Sequence, residues 1–399
     1  VFHSGLSLGE RNDEYKRADR GEAKIVIGTR SAVFAPLHNL GLIIMDEEQE
    51  NTYKSERTPK YNTKDVAHFR CKYNKALFLM TSATPSLEAY SNALKGKYVL
   101  CELNERFGDA KLPHVITVDM KQERKNGNKS PISSKLKELI SETIDNGKQA
   151  ILLINRRGYN TFIACNDCGH VITCPNCSIS LTYHSTNNRL TCHYCGYTKS
   201  LDNVCPECHS ENIRYSGYGT QKIEDELSYL FPNARILRMD ADTTSAKFSH
   251  EKLFNAFANH EYDIMIGTQM VAKGLDFDNV TLVGVVNADN SLYDESYNSA
   301  ERCFDLITQV VGRSGRRDDN GKAVIQTIHP YNQTLEYAAD QDYKSFYNNE
   351  IELRRLLIYP PYCDIISASF IGENENKVAM CAKKFFELLI EENENFKQK

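Results

Sequence analysis

Short apolar runs of strand length recur along the chain between amphipathic stretches. Ile25 to Ile27, Leu42 to Met45 and Leu77 to Met80 form a first group. Val115 to Val118, Ile151 to Ile154, Arg235 to Met239, Ile264 to Ile266, Leu282 to Val286 and Ala323 to Ile328 form a second. Continuous Val/Ile/Leu runs mark strands buried on both faces, as in parallel sheets covered by helices. The pattern predicts an α/β chain with two parallel-sheet lobes. Pro131 to Lys148 carries Leu136, Leu139, Ile140 and Ile144 at helical spacing, and Thr220 to Phe231 carries Ile223, Leu227, Leu230 and Phe231 likewise, which predicts helices packed on the second sheet. The polar stretch Lys121 to Ser130 reads as a solvated loop. Pro360-Pro361 breaks the chain before a strand expected near Ile365 to Phe370, opening a further domain. The longest apolar runs, such as Ala150 to Ile154, fall far short of the ~18 residues of a membrane helix, so no membrane partner is expected.

One block breaks the periodicity. Four Cys-x-x-Cys pairs, Cys165/Cys168, Cys174/Cys177, Cys192/Cys195 and Cys205/Cys208, stand where a helix should follow the strand at Ile151. Two thiolates on a tight turn can reach one zinc ion, and two such pairs complete a tetrahedron. The inner pairs run C-x2-C-x14-C-x2-C, close to zinc-ribbon spacing, leaving the outer pairs to close around a second ion. Gly169 and Gly196 after second cysteines, and Pro175 and Pro206 after first ones, fit knuckle turns. Two closed, structural Zn²⁺ sites are the expectation, with His170, His184, His193 and His209 as bystanders. Disulfides or a redox dithiol are the competing reading, disfavoured by an odd total of 13 cysteines, five of them scattered among apolar segments.

This gives boundaries of 1–106 for part of a first lobe, 107–160 and 213–335 for the second, 161–212 for the zinc insertion and 336–399 for part of a C-terminal domain. At 41% hydrophobic and 25% charged, the 399 residues suffice for such cores. Net charge is −5, so a nucleic-acid partner would need a local positive surface. Cysteine usage points to a reducing cytoplasm, and motif-bearing sequence from Val1 onward reads as a fragment of a longer protein.

Candidate chemistry lies at strand ends. Asp46, Glu47 and Glu48 directly follow the strand at Leu42, where desolvated carboxylates call for a cation. One reading gives Asp46 a Mg²⁺ ion and Glu47 the water that attacks a γ-phosphate; the other is an acidic loop. Around it stand Gly28-Thr29-Arg30-Ser31-Ala32, Asp46-Glu47-Glu48-Gln49 and Thr81-Ser82-Ala83-Thr84. A second series follows: Gly267-Thr268-Gln269-Met270, Lys273-Gly274-Leu275-Asp276-Phe277, and Gln309-Val310-Val311-Gly312-Arg313-Ser314-Gly315-Arg316. In this order they resemble the motifs of superfamily 2 helicases. Arg313 and Arg316, three residues apart, suit phosphate oxygens, one of them as an arginine finger engaged when the lobes close on ATP; alone they would be a basic patch.

With zinc knuckles inserted in the second lobe, the chain resembles the primosomal protein N-prime (PriA) family of bacterial replication-restart helicases. The likeness is carried by His3-Ser4-Gly5-Leu6-Ser7, Gly28 to Pro36, Ser82 to Glu88, Asn155-Arg156-Arg157-Gly158-Tyr159, the eight cysteines and Tyr359-Pro360-Pro361-Tyr362. It implies two RecA-like lobes, the first incomplete, and an ATP-dependent 3′-to-5′ DNA helicase acting as a monomer on branched and single-stranded DNA. Single-strand-binding protein and other primosome proteins are the implied partners. Catalytic roles would fall to Asp46, Glu47, Gln309, Arg313 and Arg316, and nucleotide contacts to Gln49, Gly274 and Asp276. Thr29, Arg30 and Thr268 would grip DNA phosphates, and Tyr53 and Tyr61 would stack on bases, unless their loop is merely a solvated basic one.

Departures from the family are Gln49 and Leu275 where histidines are usual, and the absence of Trp. No G-x-x-x-x-G-K-[ST] phosphate loop occurs, so this stretch by itself is not expected to hydrolyse ATP. A zinc-stabilised, non-catalytic scaffold that recruits replication proteins is the alternative. Whether the zinc insertion serves protein partners or strand separation stays open.

Overall fold

The computed structural model describes the whole chain except residues 4, 56–57, 104–111, 155–162, 166, 185–188, 193–194, 202–203, 212, 216–219, 240–248, 269–270, 272–276, 294–295, 314–320, 373 and 398–399. The chain divides into two units, Val1–Leu353 and Arg354–Lys399.

The first lobe opens with helix α1 (Leu8–Asp19), which Ser7 caps with the reciprocal Glu10 contact of a capping box. Strands β1 (Leu42–Met45) and β2 (Leu77–Met80) pair in parallel, joined through helix α2 (Thr63–Asn74). Helix α3 (Leu87–Leu94) follows. Leu42, Ile44, Leu77 and Leu79 stay exposed, while Val33, Met45 and Ala67 form a small core on the other face. The third expected strand, Ile25 to Ile27, is absent: Ile25 and Ile27 are exposed, and the segment's only described pairing is the neighbouring bridge between Phe2 and Gly28.

The second lobe starts with β3 (His114–Asp119), α4 (Met120–Lys125), α5 (Ser134–Asp145) and β4 (Gln149–Leu153). The insertion supplies β5 (Ile163–Cys165), β6 (Thr182–His184), β7 (Arg189–Thr191), β8 (Thr198–Ser200) and β9 (Ile213–Tyr215). The lobe resumes with α6 (Thr220–Leu230), β10 (Ile236–Met239), α7 (Ser249–Ala258), β11 (Ile264–Gly267), β12 (Val280–Val285), α8 (Asp289–Leu292), α9 (Ser299–Val311) and β13 (Lys322–Thr327). Helices α10 (Gln333–Asp340) and α11 (Tyr343–Leu357) end it, before α12 (Glu375–Lys397) in the second unit.

Six parallel strands run in the order β10-β11-β4-β12-β13-β3. Alternation along the strands splits the core in two. Ala150, Leu152, Ile264, Ile266, Leu282 and Val324 meet Leu136 and Leu139 of α5 and Ile223 and Leu227 of α6 on one face. Ile151, Leu153, Met265, Val283, Val285 and Ile325 meet Phe304 and Ile307 of α9 on the other. Each such aliphatic side chain contributes roughly 1.5–3 kcal/mol on leaving water.

The structure departs from expectation at three places. Lys121 to Ser130 begins as a helix, because the Asp119 side chain accepts from the amides of Lys121 and Gln122 and caps α4. The boundary expected at 336 falls at Leu353/Arg354, since Leu335, Ala338, Phe346, Tyr347 and Ile351 pack into the core of the second lobe. No strand forms at Ile365 to Phe370; in that unit the Phe370 ring instead meets Phe385 of α12 at 5.5 Å. No helix among the described residues is long and apolar enough to cross a membrane.

Candidate nucleotide cleft and metal centres

Parallel pairing of β1 with β2 brings the two loops that follow them side by side. The Thr81 hydroxyl donates to Asp46 Oδ1 at 2.7 Å, and the Glu48 amide donates to the Thr81 carbonyl at 3.1 Å. Asp46 itself is exposed, its carboxylate available to a hard cation. Glu47 holds a left-handed φ of 49°, a conformation that costs a non-glycine residue about 1–2 kcal/mol. Gln49 Nε2 donates to Glu47 Oε2 at 2.7 Å, Ser82 Oγ donates to Gln49 Oε1 at 2.6 Å, and the Thr84 amide donates to Ser82 Oγ at 2.9 Å. Gln49 therefore bridges the two loops. Glu48, the third carboxylate, is buried and turned away: it accepts from the Ser86 amide at 2.6 Å, from Ser86 Oγ at 3.1 Å and from Lys64 Nζ. Sequence reasoning did not separate Glu48 from its neighbours, and Lys64, the cation that offsets its burial, lies 16 positions away.

The second lobe reaches this cluster through α9. Gln309 Nε2 lies 3.4 Å from Glu47 Oε2, joining the second motif of one lobe to the last motif of the other. Arg313 lies two residues past the end of α9, after its Gly312 cap, and is partly buried. Arg316, Gly274 and Asp276 lie outside the described residues, as does the segment Asn155 to Tyr159. Thr268, at the end of β11, is partly buried.

The residues expected to contact DNA in the first lobe also make contacts within it. Arg30 donates through NH1 to the carbonyls of Thr52 at 3.1 Å and Lys54 at 2.9 Å, and lies over the Tyr61 ring. Tyr53 donates its hydroxyl to the Asp46 carbonyl at 2.7 Å, and burial, helped by Asp46, raises its pKa. Tyr61 meets Phe34 edge-on at 4.9 Å. Tyr53 and Arg30 thereby tie Thr52, Lys54 and the carboxylate loop together. Thr29 hydrogen-bonds through its amide to the Phe2 carbonyl at 3.0 Å.

The eight cysteines gather as their nested spacing implies. Cys165, Cys168, Cys205 and Cys208 form one cluster, and Cys174, Cys177, Cys192 and Cys195 the other, each with its sulfur atoms within 4.8 Å of one another. Measured separations are 3.6 Å for Cys165 to Cys208, 3.6 Å for Cys168 to Cys205 and 3.5 Å for Cys174 to Cys195. A tetrahedron with Zn–S bonds of ~2.3 Å has edges of about 3.8 Å, so both donor sets fit the ion. All four knuckles share one turn. The residue after each second cysteine, Gly169, Ser178, Gly196 or His209, has φ between 57° and 82° and donates its amide to the carbonyl of the first cysteine at 2.9 Å. The Tyr197 amide at the sulfur of Cys195 leads the contacts that lower that thiol to about 6, toward the thiolate a metal needs.

The insertion is seated on the lobe. Ala164 and Val171 pack with Met120 and Ile328, Lys121 Nζ approaches the Cys168 carbonyl at 3.4 Å, and Ser180 donates to the Tyr293 carbonyl at 2.6 Å.

Comparison with known proteins places these features. The family profile described as the PriA DNA helicase Cys-rich region (CRR) domain matches residues 174–199. The replication restart protein PriA of Bacillus subtilis is 48% identical over 389 residues, covering 98% of this chain and 48% of that protein. The PriA of Synechocystis is 43% identical over 389 residues, covering 95% and 47%, and that of Borreliella burgdorferi 38% over 386 residues, covering 97% and 57%. The chain spans about half the length of these curated relatives. Among solved structures, RecG bound to a three-way DNA junction gives a TM-score of 0.42 at 13% identity, covering 96% of this chain and 38% of that one. S. cerevisiae Dbp5 bound to RNA and ADP BeF3 gives 0.42 at 11%, covering 84% and 69%.

Proposed function

Because this chain belongs to the PriA family across the half of those proteins that it spans, we propose that it forms the hydrolytic and zinc-bearing portion of an ATP-dependent 3′-to-5′ DNA helicase of replication restart. The observation that carries the reading is the approach of Gln309 in one lobe to Glu47 in the other. Asp46 is the group to hold Mg²⁺, whose charge would offset that of the phosphates. Glu47 orients and deprotonates the attacking water, with Gln49 and Gln309 fixing its carboxylate from two sides. Arg313 and Arg316 supply positive charge to the transferring phosphoryl group, and Gly274 and Asp276 line the nucleotide from the second lobe. The phosphate-binding loop is no part of this sequence.

Branched and single-stranded DNA are the proposed substrates, gripped at phosphates by Thr29 and Thr268. Arg30 joins them at the phosphates, and Tyr53 and Tyr61 are the proposed stacking residues. Single-strand-binding and other primosome proteins are the proposed partners of a monomer working in the cytoplasm, with two structural zinc ions. The test is DNA-stimulated ATP turnover in a protein of the relatives' full length. Asp46→Ala should lower kcat by about 10²-fold or more, and turnover equal to wild type would sink the assignment.

A further inference from the structure

Helix α9 carries a polar stripe through an otherwise buried helix. Glu301, Asp305 and Gln309 recur every four residues, on the side where Cys303, Phe304, Leu306 and Ile307 are not. Each meets the first lobe. Glu301, buried, accepts from the Leu87 amide at 2.9 Å, at the first residue of α3, where the helix leaves its amides without internal partners. Asp305 lies against the Thr84 side chain. Gln309 reaches Glu47. Nearby, the Tyr343 hydroxyl donates to the Pro85 carbonyl at 2.6 Å, and Leu87 and Tyr90 pack into the second lobe's core.

The short segment Thr84 to Leu87 is thus held from both sides. Glu48 of the first lobe grips the Ser86 amide, and Glu301 of the second grips the Leu87 amide one residue later. Glu301 and Gln309 are eight residues apart, about 12 Å along the helix. A helix fixed at one end transmits that position to the other.

Resting on the ATPase reading above, we propose that Glu301 is a positioning residue for hydrolysis: by hooking α9 onto the first turn of α3 it sets Gln309 against Glu47. Its carboxylate holds the Leu87 amide and acts through the helix. A 1 Å error in such an alignment is enough to cost up to 10²-fold in rate.

The test uses a protein of the relatives' full length, with Asp46→Ala as the reference for lost chemistry. Glu301→Ala should lower DNA-stimulated kcat about tenfold with the KM for ATP within about twofold of wild type. Glu301→Gln keeps an oxygen acceptor for the Leu87 amide and should recover most of the loss. A Glu301→Ala protein with wild-type kcat, or a Gln variant as slow as Ala, overturns the proposal. Should wild type and Asp46→Ala show equal turnover, the ATPase reading itself fails, and amide hydrogen exchange in the present chain decides the latch. Leu87 should then exchange about tenfold faster in Glu301→Ala; unchanged exchange overturns it.

Discussion

The six-stranded sheet and the cysteine-rich insertion belong to one lobe and are held by different physics. In the sheet, strands such as β4 are buried along their whole length, and order follows from apolar side chains meeting helices on both faces. The insertion has strands of three residues and a small apolar cluster around Leu181 and Leu190. Its order follows from four copies of one turn, each aiming two sulfurs at a shared point. A segment with so little to bury suits specification by ligand geometry, since an ion bound by four cysteines would constrain four positions at once.

The strongest way to break this contrast is to withdraw the metal. Structural zinc is worth about 10–16 kcal/mol in small zinc-folded peptides, so chelation should release two ions per chain and unmask the amides of Leu181 and Leu190 to hydrogen exchange while β4 stays protected. Retained protection of Leu181 after metal loss would show that the apolar cluster suffices. The converse test is Leu152→Ala, in a side chain fully buried between β4 and α5. It should destabilise the sheet by about 2–5 kcal/mol in a denaturant titration and leave zinc content unchanged.

Asp305 sharpens the contrast from within the sheet lobe, where its carboxyl lies against Thr84 with the like charge of Glu301 nearby. Burial, with Glu301 adding like charge, raises its pKa well above the ordinary carboxylate range. A carboxyl so raised favours the folded state below its unfolded pKa of about 4. That contribution is lost as pH rises through the folded value. Asp305→Asn should therefore raise the thermal midpoint at pH 7, and the gain should shrink toward pH 4; a gain independent of pH would contradict this account. The smallest expected effect is local. Ser178 holds φ 57° where two other knuckles use glycine, so Ser178→Gly should stabilise the insertion by about 1 kcal/mol, read as slower zinc loss to a competing chelator.

Much of this was legible in the sequence because the informative patterns are short-range. Leu42 to Met45, Ile264 to Ile266 and Leu282 to Val286 announce strands by composition alone, and the nested Cys-x-x-Cys spacing carries its own wiring. Ile25 to Ile27 has the same composition, yet it has no described strand partner, and pairing is a long-range fact. The Met120 helix was hidden by its charged residues, although Asp119 before it offered a cap. Glu301 and Asp305 went unnoticed because a carboxylate on a helix ordinarily faces water. The available clue was their four-residue spacing from Gln309 across an otherwise apolar surface. The bonds of Arg30 and Tyr53 to backbone carbonyls had no sequence signal, since basic and aromatic residues in a loop suit nucleic acid and backbone carbonyls equally well.

The antiparallel pairing of β5 with β9 places Ile163 opposite Tyr215, so the insertion leaves and returns through neighbouring points about 5 Å apart. To the surrounding sheet, such a module is topologically no more than one connection between a strand and the next helix.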